Sequence, residues 1–265
     1  MLRVATVATH PKYYFHYLEK TCARWNVKLE VLGMGEKWEG YVWKFKKILE
    51  FLRSVPADDI VCFVDGYDVV ATRDLNELVP KFLEIKEREN CDMIVAKDHT
   101  FLFPLNKIAN VYFGTCNGIQ INSGTYIGYS LDLLRILEDA LKIFPDEKDD
   151  QKLLTNYCSI YSNKIYIDKQ SDLFQASVVP MKEMKLNKKR PFFAHAAGCG
   201  YLTDILVDMG YSVDPNIKKE LRTYLIKKAS EHTLVFLKRY FLVILAVILA
   251  VILVIILILR LSKRR

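Results

Sequence analysis

Five apolar residues, Ile60-Val61-Cys62-Phe63-Val64, run without a break into Asp65-Gly66-Tyr67-Asp68. A continuous apolar run of strand length fits a strand buried on both faces, as in a parallel sheet covered by helices. Such sheets gather ligands beyond the carboxyl ends of their strands, which is where Asp65 and Asp68 emerge. Two hard oxygen donors there, with Gly66 permitting a tight turn between them, suit Mg²⁺ or Mn²⁺ carrying a phosphorylated substrate. The plainer alternative is a polar turn that closes a strand.

The surrounding pattern alternates β and α. Strands are expected at 2–8, 27–32, 92–96, 119–122, 165–168 and 192–195, and helices at 12–24, 42–53, 76–88, 130–142 and 151–161. The helix over 130–142 carries Leu131, Leu134, Leu137 and Leu141 on one broad face. Alternation of this kind predicts an open, mostly parallel α/β sheet flanked by helices.

Charge and hydropathy separate this core from a tail. Of the formal net charge of +7, Lys238, Arg239, Arg260, Lys263, Arg264 and Arg265 supply all but one unit, and no acid accompanies them. The basicity therefore belongs to the tail, and no nucleic-acid partner is expected. Residues 241–259 are uninterruptedly apolar, and a helix of that length covers a hydrocarbon core of about 30 Å. The organisation expected is a domain over 1–215, a basic helical stalk over 216–237, a transmembrane helix over 238–260 and a basic tail over 261–265. Residues 1–9 read as a first strand and not as a signal peptide. Lys218, Lys219, Arg222, Lys227, Lys228, Lys238 and Arg239 outnumber the cations beyond the span. A single-pass C-terminal anchor with a cytosolic globular domain follows as the expectation. Cys22, Cys62, Cys91, Cys116, Cys158 and Cys199 show neither CxxC spacing nor a regular framework, so free thiols are expected.

Other polar clusters allow two readings each. Asn122-Ser123-Gly124 is an ordinary turn or the lining of a sugar pocket. Asp149-Asp150-Gln151 opens a helix, where carboxylates serve as caps, or presents a base to an acceptor hydroxyl. His195 ends an apolar strand and is structural, or is a third ligand beside the two aspartates. Trp38, in a Gly-rich loop, is core or a lid over a nucleotide. That loop carries neither a Walker sequence nor a G-x-G-x-x-G fingerprint.

Taken in order, seven pieces resemble one family. They are Thr6-Val7-Ala8-Thr9, the loop 32–40 with Trp38, Val64-Asp65-Gly66-Tyr67-Asp68-Val69-Val70, Ile121-Asn122-Ser123-Gly124-Thr125-Tyr126-Ile127-Gly128, Asp149-Asp150-Gln151, Asp168 with Leu173-Phe174-Gln175, and His195. The family is the glycosyltransferase domain at the N-terminus of procollagen lysyl hydroxylases, and the resemblance covers roughly residues 3–200. It does not reach the hydroxylase part, so no iron or 2-oxoglutarate chemistry is implied. The resemblance implies a GT-A fold and transfer of a hexose from a UDP-sugar, with Mn²⁺ (or Mg²⁺), to a protein or glycan acceptor. It places Asp65, Asp68 and His195 on the metal, Tyr67 against uracil, and Val7 and Thr9 near the base. Trp38 would cover the nucleotide, Lys44 would reach a phosphate, and Asn122, Asp149, Asp150 and Gln151 would face sugar and acceptor.

Two departures from the family pattern stand out. Ala196-Ala197-Gly198 replaces a Gly-Asn-Gly-like stretch, removing an amide able to reach the diphosphate, and Phe103-Pro104 replaces a Trp-Pro. The first motivates an alternative, a nucleotide-sugar-binding module with weak or lost turnover. An Asp-dependent phosphohydrolase is the other alternative, but that chemistry wants its aspartates two residues apart, not three.

Overall fold

A computed structural model describes residues 1–100, 110–228 and 230. Contacts divide the chain into Met1–Lys218 and Lys219–Arg265. Among the described residues of the first unit lie nine strands: β1 (Leu2–Val7), β2 (Leu29–Leu32), β3 (Ile60–Val64), β4 (Val69–Ala71), β5 (Met93–Thr100), β6 (Ile121–Tyr129), β7 (Ile165–Asp168), β8 (Phe174–Val178) and β9 (Phe193–His195). The principal helices are α1 (Phe15–Ala23), α2 (Tyr41–Ser54), α3 (Leu78–Glu89), α4 (Ser130–Ile143), α5 (Asp150–Ile160) and α6 (Thr203–Asp208).

All nine strands join one sheet, in the order β2-β1-β3-β6-β5-β8-β9-β4, with β7 also against β5. The apolar run of β3 is explained by its two faces. Val61 and Phe63 join a core with Phe45, Leu49, Leu137 and Leu154 from α2, α4 and α5. Ile60, Cys62 and Val64 join a second core with Leu18, Phe82 and Ile85 from α1 and α3. Every residue of β3 is buried, each large apolar side chain contributing about 1.5–3 kcal/mol of transfer free energy.

The sheet is mixed, with parallel pairings in the majority as expected. Parallel pairing holds for β1 with β2 and β3, for β5 with β7 and β8, and for β8 with β9. β6 runs antiparallel to β3 and β5, and β4 runs antiparallel to β9. The expected turn at Asn122-Ser123-Gly124 lies inside β6, which continues to Tyr129. Its β5 register jumps from Val95↔Tyr126 to Ala96↔Asn122, so a bulge, not a chain reversal, is what these small polar residues supply. Strand β4, with three residues, is too short to carry a periodic signal, whereas the alternation in β8, Phe174-Gln175-Ala176-Ser177-Val178, was legible and went unread.

Three further expectations are corrected or fall elsewhere. Gly66 does not adopt a left-handed turn. What demands glycine there is the proximity of β1, since a Cβ would meet Thr6 Oγ1 at 3.0 Å and the Val7 carbonyl at 3.3 Å. Cys116 and Cys158 are joined in a disulfide, so two of the six expected thiols are not free. Spacing gave no hint because the bond links the segment before β6 to α5 across 42 positions. The apolar run 241–259 and Phe103-Pro104 lie outside the described residues. No helix among the described residues is long and apolar enough to cross a membrane. Residues 219–228 of the second unit are helical.

Candidate metal centre

The carboxyl end of β3 delivers Asp65, and three residues later the chain re-enters the sheet as β4, placing Asp68 at the turn. β4 pairs with β9 in the register Val69↔His195, and the Ala196 amide donates to the Asp68 carbonyl at 2.9 Å. That ladder brings a histidine 127 positions away against Asp68. One ligand atom from each of Asp65, Asp68 and His195 lies within 4.8 Å of the others. His195 Nε2 stands 3.3 Å from Asp68 Oδ1 and 3.9 Å from Asp65 Oδ2.

The imidazole is aimed from behind. His195 Nδ1–H donates to Asn122 Oδ1 at 3.0 Å, and the same oxygen accepts from the Gly124 amide at 3.0 Å. With Nδ1 carrying the hydrogen, Nε2 presents its lone pair to the aspartates, the tautomer a metal requires. Asn122 and His195 are buried, while the Asp65 and Asp68 side chains remain 30% and 23% exposed. The centre therefore has a closed wall and an open, acidic mouth. Gly124 makes it possible: a Cβ there would lie 2.3 Å from His195 Cε1 and 2.5 Å from Asp65 Oδ2. Two carboxylates and one imidazole form a donor set that suits Mn²⁺, and Mg²⁺ less well.

Charge continues inward from the aspartates. Lys44 on α2 donates to Asp65 Oδ1 at 3.0 Å and is ion-paired with Asp150, the first residue of α5. Although burial opposes its charge, Asp150 and Asp65 hold the Lys44 ammonium above its ordinary range. Burial pushes the Asp65 carboxyl up, against the opposing pull of Lys44 and His195. Burial pushes the His195 imidazole down, but Asp68 and Asp65 outweigh it and hold the group above its usual value. Asp150 also accepts from Ser123 Oγ at 3.0 Å. Asp149 caps α5 by accepting from the Lys152 amide at 2.9 Å, and burial raises its carboxyl.

The remaining expected residues gather at the ends of β1 and β2. Tyr67 Oη accepts from the Thr9 amide at 3.1 Å, and its ring meets those of His10 at 5.9 Å and Tyr13 at 6.1 Å. Val7 points into the core, leaving only its backbone to face a ligand. Trp38 is 43% exposed and packs edge-on against Trp43 at 5.4 Å, and Gln151 is half-buried on α5.

Two of the expected residues already have partners within the protein. Lys44 is occupied by two carboxylates, and Asn122 holds the metal-facing histidine. Ser123, read as turn or pocket lining, instead donates to Asp150, and Tyr126 was given no role of its own. Tyr126 stacks on Phe63 at 5.0 Å, with its hydroxyl buried and without a hydrogen-bond partner among the described residues. Strict alternation would set residues three apart on opposite faces, so it is the bulge in β6, which the sequence does not signal, that lets both face α5.

Comparison with known proteins bears on the family of the chain. The family model described as the PLOD GT domain matches residues 1–207. The multifunctional procollagen lysine hydroxylase and glycosyltransferase of Caenorhabditis elegans is 26% identical over 84% of this chain and 32% of its own length. The procollagen-lysine,2-oxoglutarate 5-dioxygenase of Drosophila melanogaster is 29% identical over 63% of this chain and 22% of its own. The chain thus spans a third or less of the length of these two relatives. In fold it is similar to a glycosyltransferase involved in the glycosylation of the major capsid of PBCV-1. That likeness has a TM-score of 0.50 at 12% identity, covering 84% of this chain and 98% of the other. With more than three quarters of its residues matched by the family model, the chain belongs to the PLOD glycosyltransferase-domain family.

Proposed function

We propose that this chain moves a hexose from a UDP-sugar to a hydroxyl of a protein or glycan acceptor, with Mn²⁺ or Mg²⁺ held by Asp65, Asp68 and His195. The convergence of those three donors beyond β3 carries the reading. When bound, the cation would neutralise charge developing on the departing diphosphate. Asn122 keeps His195 in the ligating tautomer. Lys44 neutralises part of the charge that Asp65 and Asp150 bring into the site. Asp150 is thereby engaged by Lys44 and Ser123. Asp149, with its carboxyl raised by burial, is the better group to take a proton from an acceptor hydroxyl. Tyr67 and Thr9 offer a ring and a hydroxyl at the β1 edge, where a uracil would lie. The apolar run 241–259 supports a membrane anchor for this domain.

A second reading, binding of a nucleotide-sugar without turnover, is favoured by Ala196 and Ala197, which are buried and bring no polar side chain beside His195. The two separate by UDP release. Purified full-length chain in neutral detergent is supplied with UDP-glucose or UDP-galactose, with Mn²⁺ or with chelator. Mn²⁺-dependent UDP release from one donor is expected. Nucleotide binding without release from either donor would favour the second reading.

A further inference from the structure

A second charged cavity lies at the far end of the β4–β9 ladder. Val69 and His195 mark the metal end of that ladder, and Ala71↔Phe193 the other, where the Thr72 amide continues it by donating to the Phe192 carbonyl at 2.8 Å. At about 3.3 Å per residue Thr72 lies roughly 10 Å along the strand from Val69. Beyond Thr72 opens a cavity of about 480 Å³, walled by the end of α1, the 72–74 turn, the 188–190 segment and the end of α6.

Its charge is lopsided. Arg24, Arg73, Lys188, Lys189 and Arg190 line it, against Asp74 and Asp208. Such a cluster would mean little on a strongly basic surface. Here, apart from the C-terminal cations, the chain is within one charge of neutrality, so the concentration is local.

Two of the guanidiniums are pre-oriented by ring contacts. Arg73 lies over Phe192 at 4.6 Å, and Arg24 over Trp25 at 5.5 Å while donating to the Met209 carbonyl at 2.8 Å. Stacking fixes the plane of a guanidinium and leaves its edge for an anion. Arg73 is also paired with Glu77, and Lys189 with Asp172. Lys188 and Arg190 are exposed and have no carboxylate within salt-bridge distance among the described residues. Unpaired cations converging on a concave site, beside fixed guanidiniums, are the arrangement that recognises a phosphate group.

We propose that this cavity is a binding site for a phosphate-bearing ligand, separate from the metal centre, with Lys188 and Arg190 as its principal cations. A soluble phosphorylated compound and the headgroup of an anionic lipid share the chemistry, and the test distinguishes them.

The full chain is held in neutral detergent with chelator, in an Asp65→Asn, Asp68→Asn background that disables the metal centre. It is titrated calorimetrically with inorganic pyrophosphate, and separately with micelles doped with phosphatidic acid or with phosphatidylcholine. Lys188→Glu, Arg190→Glu in the same background is the comparison, its thermal midpoint checking that it folds. Pyrophosphate binding weakened at least about tenfold by the double reversal, the loss of one charge-assisted contact or more, supports a soluble ligand. Binding confined to phosphatidic acid, and lost in the variant, supports a lipid headgroup. Binding of neither probe, or binding that the reversal leaves unchanged, overturns the proposal.

Discussion

Asn122 orients His195 through a single hydrogen bond, and Gly124 keeps the space into which the imidazole is turned. The two make different predictions. In Asn122→Ala the ring loses its Nδ1 acceptor, and Mn²⁺ affinity should fall about 10–100-fold with little change in fold. Asn122→Asp keeps an acceptor and should recover most of that loss. Gly124→Ala forces a methyl into His195 and Asp65, so it should abolish Mn²⁺ binding, which an isothermal titration of each variant would read. Equal affinity in wild type and Asn122→Ala would remove the positioning role. At this scale the sequence was partly legible. Asp65 and Asp68 declare themselves because hard donors directly after a buried strand are uncommon. Asn122 and Lys44 do not, because either residue type can serve ligand or neighbour, and only the packing of β6 and α2 against the site decides which.

Short elements do most of the positioning. β4 has three residues, yet its register with β9 is what sets His195 beside Asp68. A strand so short has no periodicity to read, which is why the residues alone left His195 as either a structural group or a third ligand. Asp168 shows the same economy at the end of β7. Its Oδ1 accepts from the Asp172 amide at 2.9 Å, and its Oδ2 from the amides of Leu173 at 2.7 Å and Phe174 at 2.9 Å. The carboxylate thus folds the 169–173 turn and starts β8. Burial pushes the carboxyl up, and the three N–H donors pull the other way. Asp168→Asn turns one acceptor into a donor facing an amide, so it should cost about 1–3 kcal/mol in a urea unfolding experiment. An unchanged midpoint would show that the turn forms without it. Long elements such as α2, α4 and β3 were legible to within a residue or two, because periodicity over ten or more positions, or an unbroken apolar run, leaves few alternatives.

For the molecule as a whole, the Cys116–Cys158 disulfide is a covalent link between distant segments. It fastens the segment before β6 to α5, the helix that carries Asp149 and Asp150. Alkylation of the unfolded, unreduced chain should therefore modify four cysteines and not six. Cys116→Ser should lower stability by about 2–4 kcal/mol. Six modified cysteines in protein isolated with thiols blocked would show that the bond does not form. The mixed sheet was hidden for a related reason: antiparallel insertion of β6 depends on pairing between distant segments, which local patterning does not encode. The measurement that bears most directly on the central claim is the thermal midpoint of the full chain with UDP, with and without Mn²⁺, in wild type and Asp68→Asn. A rise that needs both nucleotide and metal, and that vanishes in Asp68→Asn, is the expected result. A rise of equal size without metal, or in the variant, would contradict a metal centre at Asp65, Asp68 and His195.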